Sequence, residues 1–126
     1  MNYQMSRRVV IADDIDDMRA VLRCLLESLG AEVTEAANGG DLAMLLVDAD
    51  RRIDLLITDV KMPWVTGIQL ALSARNAGLT MPIIVITAFG NEQLREQIKS
   101  LGGARLLPKP FHPDEFLSLA RFFLSA

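Results

Sequence analysis

The chain has 126 residues, 51% hydrophobic and 23% charged, with a formal net charge of −3, which suits one domain spanning residues 1–126. A single cysteine, Cys24, excludes an internal disulfide and favours a reducing cytoplasm. The sequence lacks a secretory signal, an apolar run near the roughly 20 residues of a membrane span, and a dense basic patch, so we expect no membrane or direct nucleic-acid binding.

The first half of the chain alternates between short β-branched runs and helical periodicity. Three strands are predicted, at residues 8–12, 31–36 and 52–58, and the last of them leads directly into Asp59. The first intervening helix ends at Gly30, and Asp16 is its best placed N-cap. We expect a turn at Asn38-Gly39 before a second helix, whose apolar residues are Leu42, Ala43, Leu45, Leu46 and Ala49.

The second half repeats this alternation. A helix is predicted from Gly67 to Ala77, and the β-branched run IIVIT at residues 83–87 is the clearest strand of the chain. A polar-rich helix closed by Gly102-Gly103 follows, then a brief strand at 104–107 and a last helix with Pro113 at its first position. Strands that alternate with helices predict an α/β protein, a doubly wound five-stranded parallel sheet with five helices on its two faces.

Polar side chains collect where the predicted strands end, and parallel strands bring those ends to one edge of the sheet. The ends carry Asp13 and Asp14, then Asp59, Thr87 and Lys109. Two carboxylates about 4 Å apart repel by roughly 4 kcal/mol at an effective dielectric of about 20, and Lys109 offsets one charge only. A hard cation with oxygen ligands, Mg²⁺, would offset more, and such a site could hold a phosphoryl group beside a nucleophilic carboxylate.

Each of these residues has an ordinary explanation when it is taken alone. The Asp13-Asp14 pair could open a loop or cap the first helix, Thr87 could simply end a strand, and Lys109 could be a solvated loop residue. These explanations weaken because all of the residues occur with Asp59 at neighbouring strand ends.

Four motifs follow one another at the strand ends: IADD at 11–14, LLITDVKMP at 55–63 with TG after it, VITA at 85–88, and LLPKPF at 106–111. In this order they resemble the receiver domains of two-component response regulators, of the chemotaxis-regulator kind. The resemblance extends from Val9 to the last helix, and although no single motif is decisive, the ordered set is specific. It implies a flavodoxin-like (β/α)5 fold.

The resemblance also implies a role for each matching residue. Asp59 would be the phosphoacceptor, and Thr87 and Lys109 would bind the phosphoryl oxygens, with a cis peptide bond between Lys109 and Pro110. Asp14 would bind Mg²⁺ directly, with Asp13 helping through water, and the carboxylate of Asp59 and the backbone carbonyl of Lys61 would complete the protein ligands.

The implied function is a cytoplasmic signalling switch. A sensor histidine kinase or a phosphotransfer protein would supply the phosphoryl group, and the face of the fourth helix, fifth strand and fifth helix would change for an unknown output domain or protein. The domain would modify and slowly dephosphorylate itself without turning over an external substrate. Leu106 stands where the family usually has an aromatic switch residue, so the usual coupling to Thr87 is not expected here.

Two functions of other classes remain open. An aspartyl-phosphate phosphohydrolase would want a second acid two residues after its nucleophile, where this chain has Lys61. A receiver-like interaction module that does not use phosphorylation is favoured mildly by Leu106 and disfavoured by the complete acidic, hydroxyl and lysine set. A homodimer is also open, and its candidate surface lies near Leu94, Ile98 and Phe122.

Overall fold

The predicted alternation of strands and helices is present in the structure, a computed structural model that describes residues 6–63, 65–88 and 90–125. None of the described helices is long and apolar enough to cross a bilayer. The strands are β1 (Arg8–Ala12), β2 (Glu32–Ala36), β3 (Leu55–Asp59), β4 (Ile83–Thr87) and β5 (Ala104–Pro108). The helices are α1 (Asp16–Glu27), α2 (Gly39–Val47), α3 (Gly67–Asn76), α4 (Glu92–Leu101) and α5 (Pro113–Leu124).

All five strands pair in parallel, in the order β2-β1-β3-β4-β5, which confirms the predicted doubly wound sheet. The order reverses direction between β1 and β3, and open α/β sheets form their crevice outside the carboxyl ends of the strands at such a point. In the register, Ala12 lies opposite Thr58 and Asp59 lies opposite Ile86. The residues that follow β1 are therefore beside the end of β3.

The sheet separates two apolar layers, because successive side chains of a strand point to opposite faces. Val9, Ile11 and Ile57 belong to the layer that includes Phe116 of α5 and the buried residues of α1. The other layer packs beneath α2, α3 and α4 and includes Val10 from the same strand. Every residue of β3 and β4 is buried, as expected for central strands covered on both faces.

Two predicted helix starts were wrong. Asp16 is the first residue of α1 and not its N-cap; Ile15 holds the N-cap position and makes no capping hydrogen bond through its side chain. Asn38 and Gly39 do not form a separate turn. Asn38 is the N-cap of α2, and its side-chain oxygen accepts a hydrogen bond of 2.8 Å from the backbone N–H of Asp41.

The connection between α2 and β3 is longer than predicted. Helix α2 ends at Val47, before Ala49, and β3 begins at Leu55 instead of residue 52. The intervening stretch is charged and largely exposed. Asp54 closes it by accepting a 2.7 Å hydrogen bond from the backbone N–H of Arg8, so the strand pairing starts only after this polar segment.

The predicted dimer surface was wrong for two of its three residues. Leu94 and Ile98 are each 6% exposed and belong to the apolar layer beneath α4, so their side chains offer little surface to a partner. Phe122 of α5 is 64% exposed, while its neighbour Phe123 packs partly against the core. The homodimer itself stays a prediction.

Gly67 lets α3 begin directly against the end of β3. A Cβ atom at this position would overlap with the backbone oxygen of Asp59 and the hydroxyl of Thr58. We expect Gly67→Ala to lower the free energy of unfolding by about 3 kcal/mol, because backbone at the end of a central strand cannot move aside cheaply.

A matched control is Gly90→Ala, whose added Cβ would make only an ordinary 3.7 Å contact with Leu106. We expect a change of no more than about 0.5 kcal/mol there. Urea unfolding of both variants measures the difference, and equal losses at the two glycines would contradict the steric explanation.

Candidate functional site

Three carboxylates converge at the carboxyl edge of the sheet. Asp13 follows β1 directly, Asp14 comes next, and Asp59 is the last residue of β3. One carboxylate oxygen from each lies within 4.8 Å of the others. Asp13 and Asp59 are 1% and 7% exposed, whereas Asp14 faces solvent. The predicted convergence of the strand ends is thus present, with two acids buried and one at the rim.

Lys109 provides the positive charge for this cluster. Its Nζ donates to Oδ2 of Asp59 at 2.9 Å and to Oδ2 of Asp13 at 3.4 Å. The backbone N–H of the lysine donates to the carbonyl of Thr87 at 2.8 Å. The Lys109–Pro110 peptide is cis, which confirms that prediction. Burial lowers the pKa of Lys109, but the two carboxylates raise it by more, so the amine stays charged.

Both carboxylate oxygens of Asp59 are held in place. Oδ2 accepts from Lys109, and Oδ1 accepts a 3.2 Å hydrogen bond from the backbone N–H of Lys61. The hydroxyl of Thr58 donates to the backbone carbonyl of Asp59 at 2.9 Å. The side chain therefore has a fixed orientation toward the cluster. The carbonyl of Lys61 as a metal ligand stays a prediction.

Asp13 has a perturbed protonation equilibrium. Burial raises the pKa of its carboxyl and Asp59 adds to that rise, while the backbone N–H of Ile15 (2.9 Å to Oδ1) and Lys109 lower it. The net direction is upward because the effect of burial outweighs the favourable contacts with the Ile15 N–H and Lys109. An additional cation near these oxygens would favour the ionised carboxylate.

Thr87 and Leu106 lie on the two strands beyond Asp59. Thr87 ends β4, is 3% exposed, and pairs in register with Pro108, the residue before Lys109. Leu106 pairs with Val85 and packs half-buried against the apolar layer beneath α4. Thr87 is thus close in the sheet to the lysine that contacts Asp59, while the switching roles of Thr87 and Leu106 stay predictions.

Two contributors to the site were missed by reasoning from the sequence. Thr58 looked like an ordinary strand residue, and only its contacts with Asp59 and Gly67 connect it to the site. Arg19 of α1 donates to the backbone carbonyl of Asp13 at 2.6 Å. Nothing in the local sequence distinguishes it from Arg23 one turn later, because its position depends on how α1 packs beside β2.

The sheet has two buried carboxylates at its switch point, and both are bonded to a lysine that follows β5. This arrangement is typical of α/β proteins that bind their ligands at the carboxyl ends of their strands. The family model described as the response regulator receiver domain matches residues 9–121. The chain therefore belongs to the receiver domains of two-component response regulators.

The chain is similar to regulators of known name. It is 34% identical over 113 residues to the transcriptional regulatory protein FixJ of Azorhizobium caulinodans, covering 90% of this chain and 53% of FixJ. It is 33% identical over 116 residues to the phosphate regulon transcriptional regulatory protein PhoB of Pseudomonas aeruginosa, covering 90% and 50%. The chain thus spans about half the length of both curated relatives.

A solved structure agrees with this placement. The chemotaxis protein CheY4 of Vibrio cholerae superposes with a TM-score of 0.84 at 27% identity, and the alignment covers 95% of this chain and all of that one. The flavodoxin-like receiver fold expected from the sequence is confirmed.

The raised pKa of Asp13 predicts how removing this carboxyl changes the stability of the domain at different pH values. Folding raises the pKa of this carboxyl, so at a pH above the raised pKa the ionised carboxylate lowers the free energy of unfolding. This loss of stability disappears once the pH falls below the pKa that the carboxyl has in the unfolded chain. Without divalent cations near neutral pH, we expect Asp13→Asn to raise the free energy of unfolding. The gain should shrink as the pH is lowered through the raised pKa.

The control is Asp17→Asn, which removes an exposed acid from the first turn of α1. We expect no gain there, and a loss of at most about 0.5 kcal/mol from the weaker interaction with the helix dipole. Urea unfolding at several pH values measures both variants. A destabilised Asp13→Asn protein, with Asp17→Asn unchanged, would contradict the electrostatic account.

Proposed function

We propose that this receiver domain is a phosphorylation-dependent signalling switch in which Asp59 accepts a phosphoryl group with the help of Mg²⁺. The observation that carries the proposal is the single lysine shared by two buried carboxylates, Asp13 and Asp59, beside a third, solvent-facing carboxylate. Three carboxylates and one lysine leave net negative charge. A bound cation would compensate this charge and, together with Lys109, stabilise the oxygens of a phosphoryl group.

Asp59 has the features of a carboxylate nucleophile. It is buried, its orientation is set by Lys109 and the N–H of Lys61, and carboxylates are among the side chains that form covalent phosphoryl intermediates. One of its oxygens forms a bond to phosphorus as the phosphorus–nitrogen bond of a phosphohistidine donor breaks. The histidine nitrogen keeps the bonding electrons and is protonated.

The donor set fits Mg²⁺. The cluster of Asp13, Asp14 and Asp59 offers carboxylate oxygens, and neither sulfur nor imidazole belongs to it. Asp14 at the rim leaves room for water, which Mg²⁺ retains in most protein sites. When bound, Mg²⁺ would neutralise the carboxylates and the phosphoryl oxygens.

Lys109 and Thr87 would respond to the new phosphoryl group. Lys109 now bonds to the carboxylates and would shift one hydrogen bond to a phosphoryl oxygen, since its flexible stem allows this without backbone movement. The Thr87 hydroxyl, at the end of the adjacent strand, would donate to another oxygen. New contacts to the phosphoryl group would bias the domain between two packings of the α4-β5-α5 face.

The partners of this switch follow from the family and not from the contacts described above. A histidine kinase or a phosphotransfer protein would supply the phosphoryl group, and an output domain or separate protein would read the changed face. The domain would act on itself alone, as phosphoacceptor and slow phosphatase. The cytoplasmic location stays a prediction.

The alternative is an interaction module that does not use phosphorylation. The half-buried Leu106 favours it slightly, because a leucine cannot exchange a ring between buried and exposed positions. The complete set of three acids, threonine and lysine favours the switch.

The decisive experiment combines acetyl phosphate with Mg²⁺ and measures the intact mass. We expect the unaltered domain to gain one phosphoryl group, and we expect no gain for Asp59→Asn or after removal of Mg²⁺ with a chelator. Asp17→Asn, which removes an exposed acid outside the cluster, should be phosphorylated normally. Trp64, the single tryptophan, lies outside the described residues but follows Asp59 closely in sequence and can report beryllofluoride binding by its emission.

Two results would count against the proposal. If Asp59→Asn still gains a phosphoryl group on an aspartyl side chain, Asp59 is not the acceptor. If the unaltered domain responds neither to acetyl phosphate nor to beryllofluoride with Mg²⁺, the interaction module becomes the better reading.

A further inference from the structure

Arg19 makes a set of contacts that the proposed chemistry does not account for. Its side chain is 12% exposed, although it belongs to the first turns of α1. Nη1 donates to the backbone carbonyl of Asp13 at 2.6 Å, and Nε donates to Oε1 of Glu35 on β2 at 3.1 Å. Nη2 pairs with the carboxylate of Asp16. One guanidinium therefore joins the β1–α1 loop, the first turn of α1 and strand β2.

The hydrogen bond from Arg19 to the carbonyl of Asp13 lies next to the peptide that connects the two acids Asp13 and Asp14. The carbonyl oxygen of Asp13 belongs to the peptide unit that links Asp13 to Asp14. The backbone N–H of Asp13 is bonded to the carbonyl of Ala36 at 3.1 Å, and Ile15 donates to its side chain. Arg19 bonds to the backbone carbonyl of Asp13, so it restrains the orientation of the peptide that links the two acids.

Arg23 provides an internal comparison. It is one helical turn further along α1 and bonds to the same glutamate, with Nε 2.5 Å from Oε2 of Glu35. Its other ion-pair partner is Glu27, at 3.7 Å. Within the part of the chain that the structure describes, Arg23 has no hydrogen bond or ion pair to the β1–α1 loop. The two arginines share residue type, helix and anchor, and they differ in the hydrogen bond to the carbonyl of Asp13.

We propose that Arg19 is a positioning residue for the carboxylate cluster, holding the Asp13–Asp14 peptide so that both side chains meet a divalent cation together with Asp59. The proposal rests on the proposed function, because the cation is the Mg²⁺ of that site. Arg19 contacts neither the cation nor the phosphoryl group in this role; it acts through the backbone carbonyl of Asp13.

Charge and position predict opposite effects, which makes the proposal testable. A positive charge near the cluster repels a cation, so if only the charge of Arg19 mattered, its removal would strengthen Mg²⁺ binding. If Arg19 orients the ligands, its removal weakens binding, as expected when a group that orients metal ligands is lost. Lysine keeps the charge but cannot reproduce three hydrogen bonds from a rigid fork.

The experiment measures the Mg²⁺ dissociation constant of the unaltered domain, Arg19→Gln, Arg19→Lys and Arg23→Gln by calorimetry. We expect both Arg19 variants to bind roughly 10-fold more weakly and Arg23→Gln to stay within about twofold, as for a partly exposed ion pair. Urea unfolding identifies any variant that is not folded. If Arg19→Gln fails to fold, Arg19→Lys is used in its place, because it retains the aliphatic stem and the charge.

A second readout separates orientation from general stability. In Arg19→Gln, hydrogen exchange at the backbone N–H of Ile15, which bonds to Asp13, should become faster, while exchange at Leu26 in the core of α1 stays unchanged. Equal or tighter Mg²⁺ binding by Arg19→Gln would overturn the proposal, as would normal binding by Arg19→Lys. Absence of Mg²⁺ binding by the unaltered domain would instead contradict the proposed function.

Discussion

The interaction on which this structure depends is the pairing of Lys109 with two buried carboxylates that repel each other. The sheet imposes it, because β1 and β3 are adjacent and both place an aspartate at their carboxyl ends. Buried charges are costly unless they are paired, and burial keeps the pKa of Asp13 raised despite its contact with Lys109. The apolar layers on both faces of the sheet supply the stability that tolerates this cost, and in the proposed function a bound cation would compensate the remaining negative charge.

Much of this could be predicted from the sequence, for a physical reason. Strands buried on both faces are continuous β-branched runs, so β4 and the end of β3 were recognisable, and with them the positions of Asp59 and Thr87. Parallel strands then fix which ends meet. The acid cluster followed from topology alone, before any contact was known.

Other features depended on packing that a linear pattern does not contain. The role of Arg19 requires Glu35 on another strand, and the burial of Leu94 and Ile98 requires the place of α4 on the sheet. The helix starts were predicted wrongly because several polar residues are close together in the sequence, and only the backbone geometry identifies which of them is the cap. Asn38 is an N-cap, although a turn was predicted there. Sequence therefore predicted the positions of the clustered acids and the lysine better than those of the residues that orient them.

Gly67 shows a limit on how such sites can be recognised or redesigned. The chemistry never involves this residue, yet the backbone beneath Asp59 and the hydroxyl of Thr58 occupy the volume that any side chain would need. A search for the acids, the threonine and the lysine alone would accept a chain with alanine at this position, although its Cβ would overlap with the atoms beneath Asp59. Transferring these side chains to another sheet thus also requires a residue without a side chain at this position.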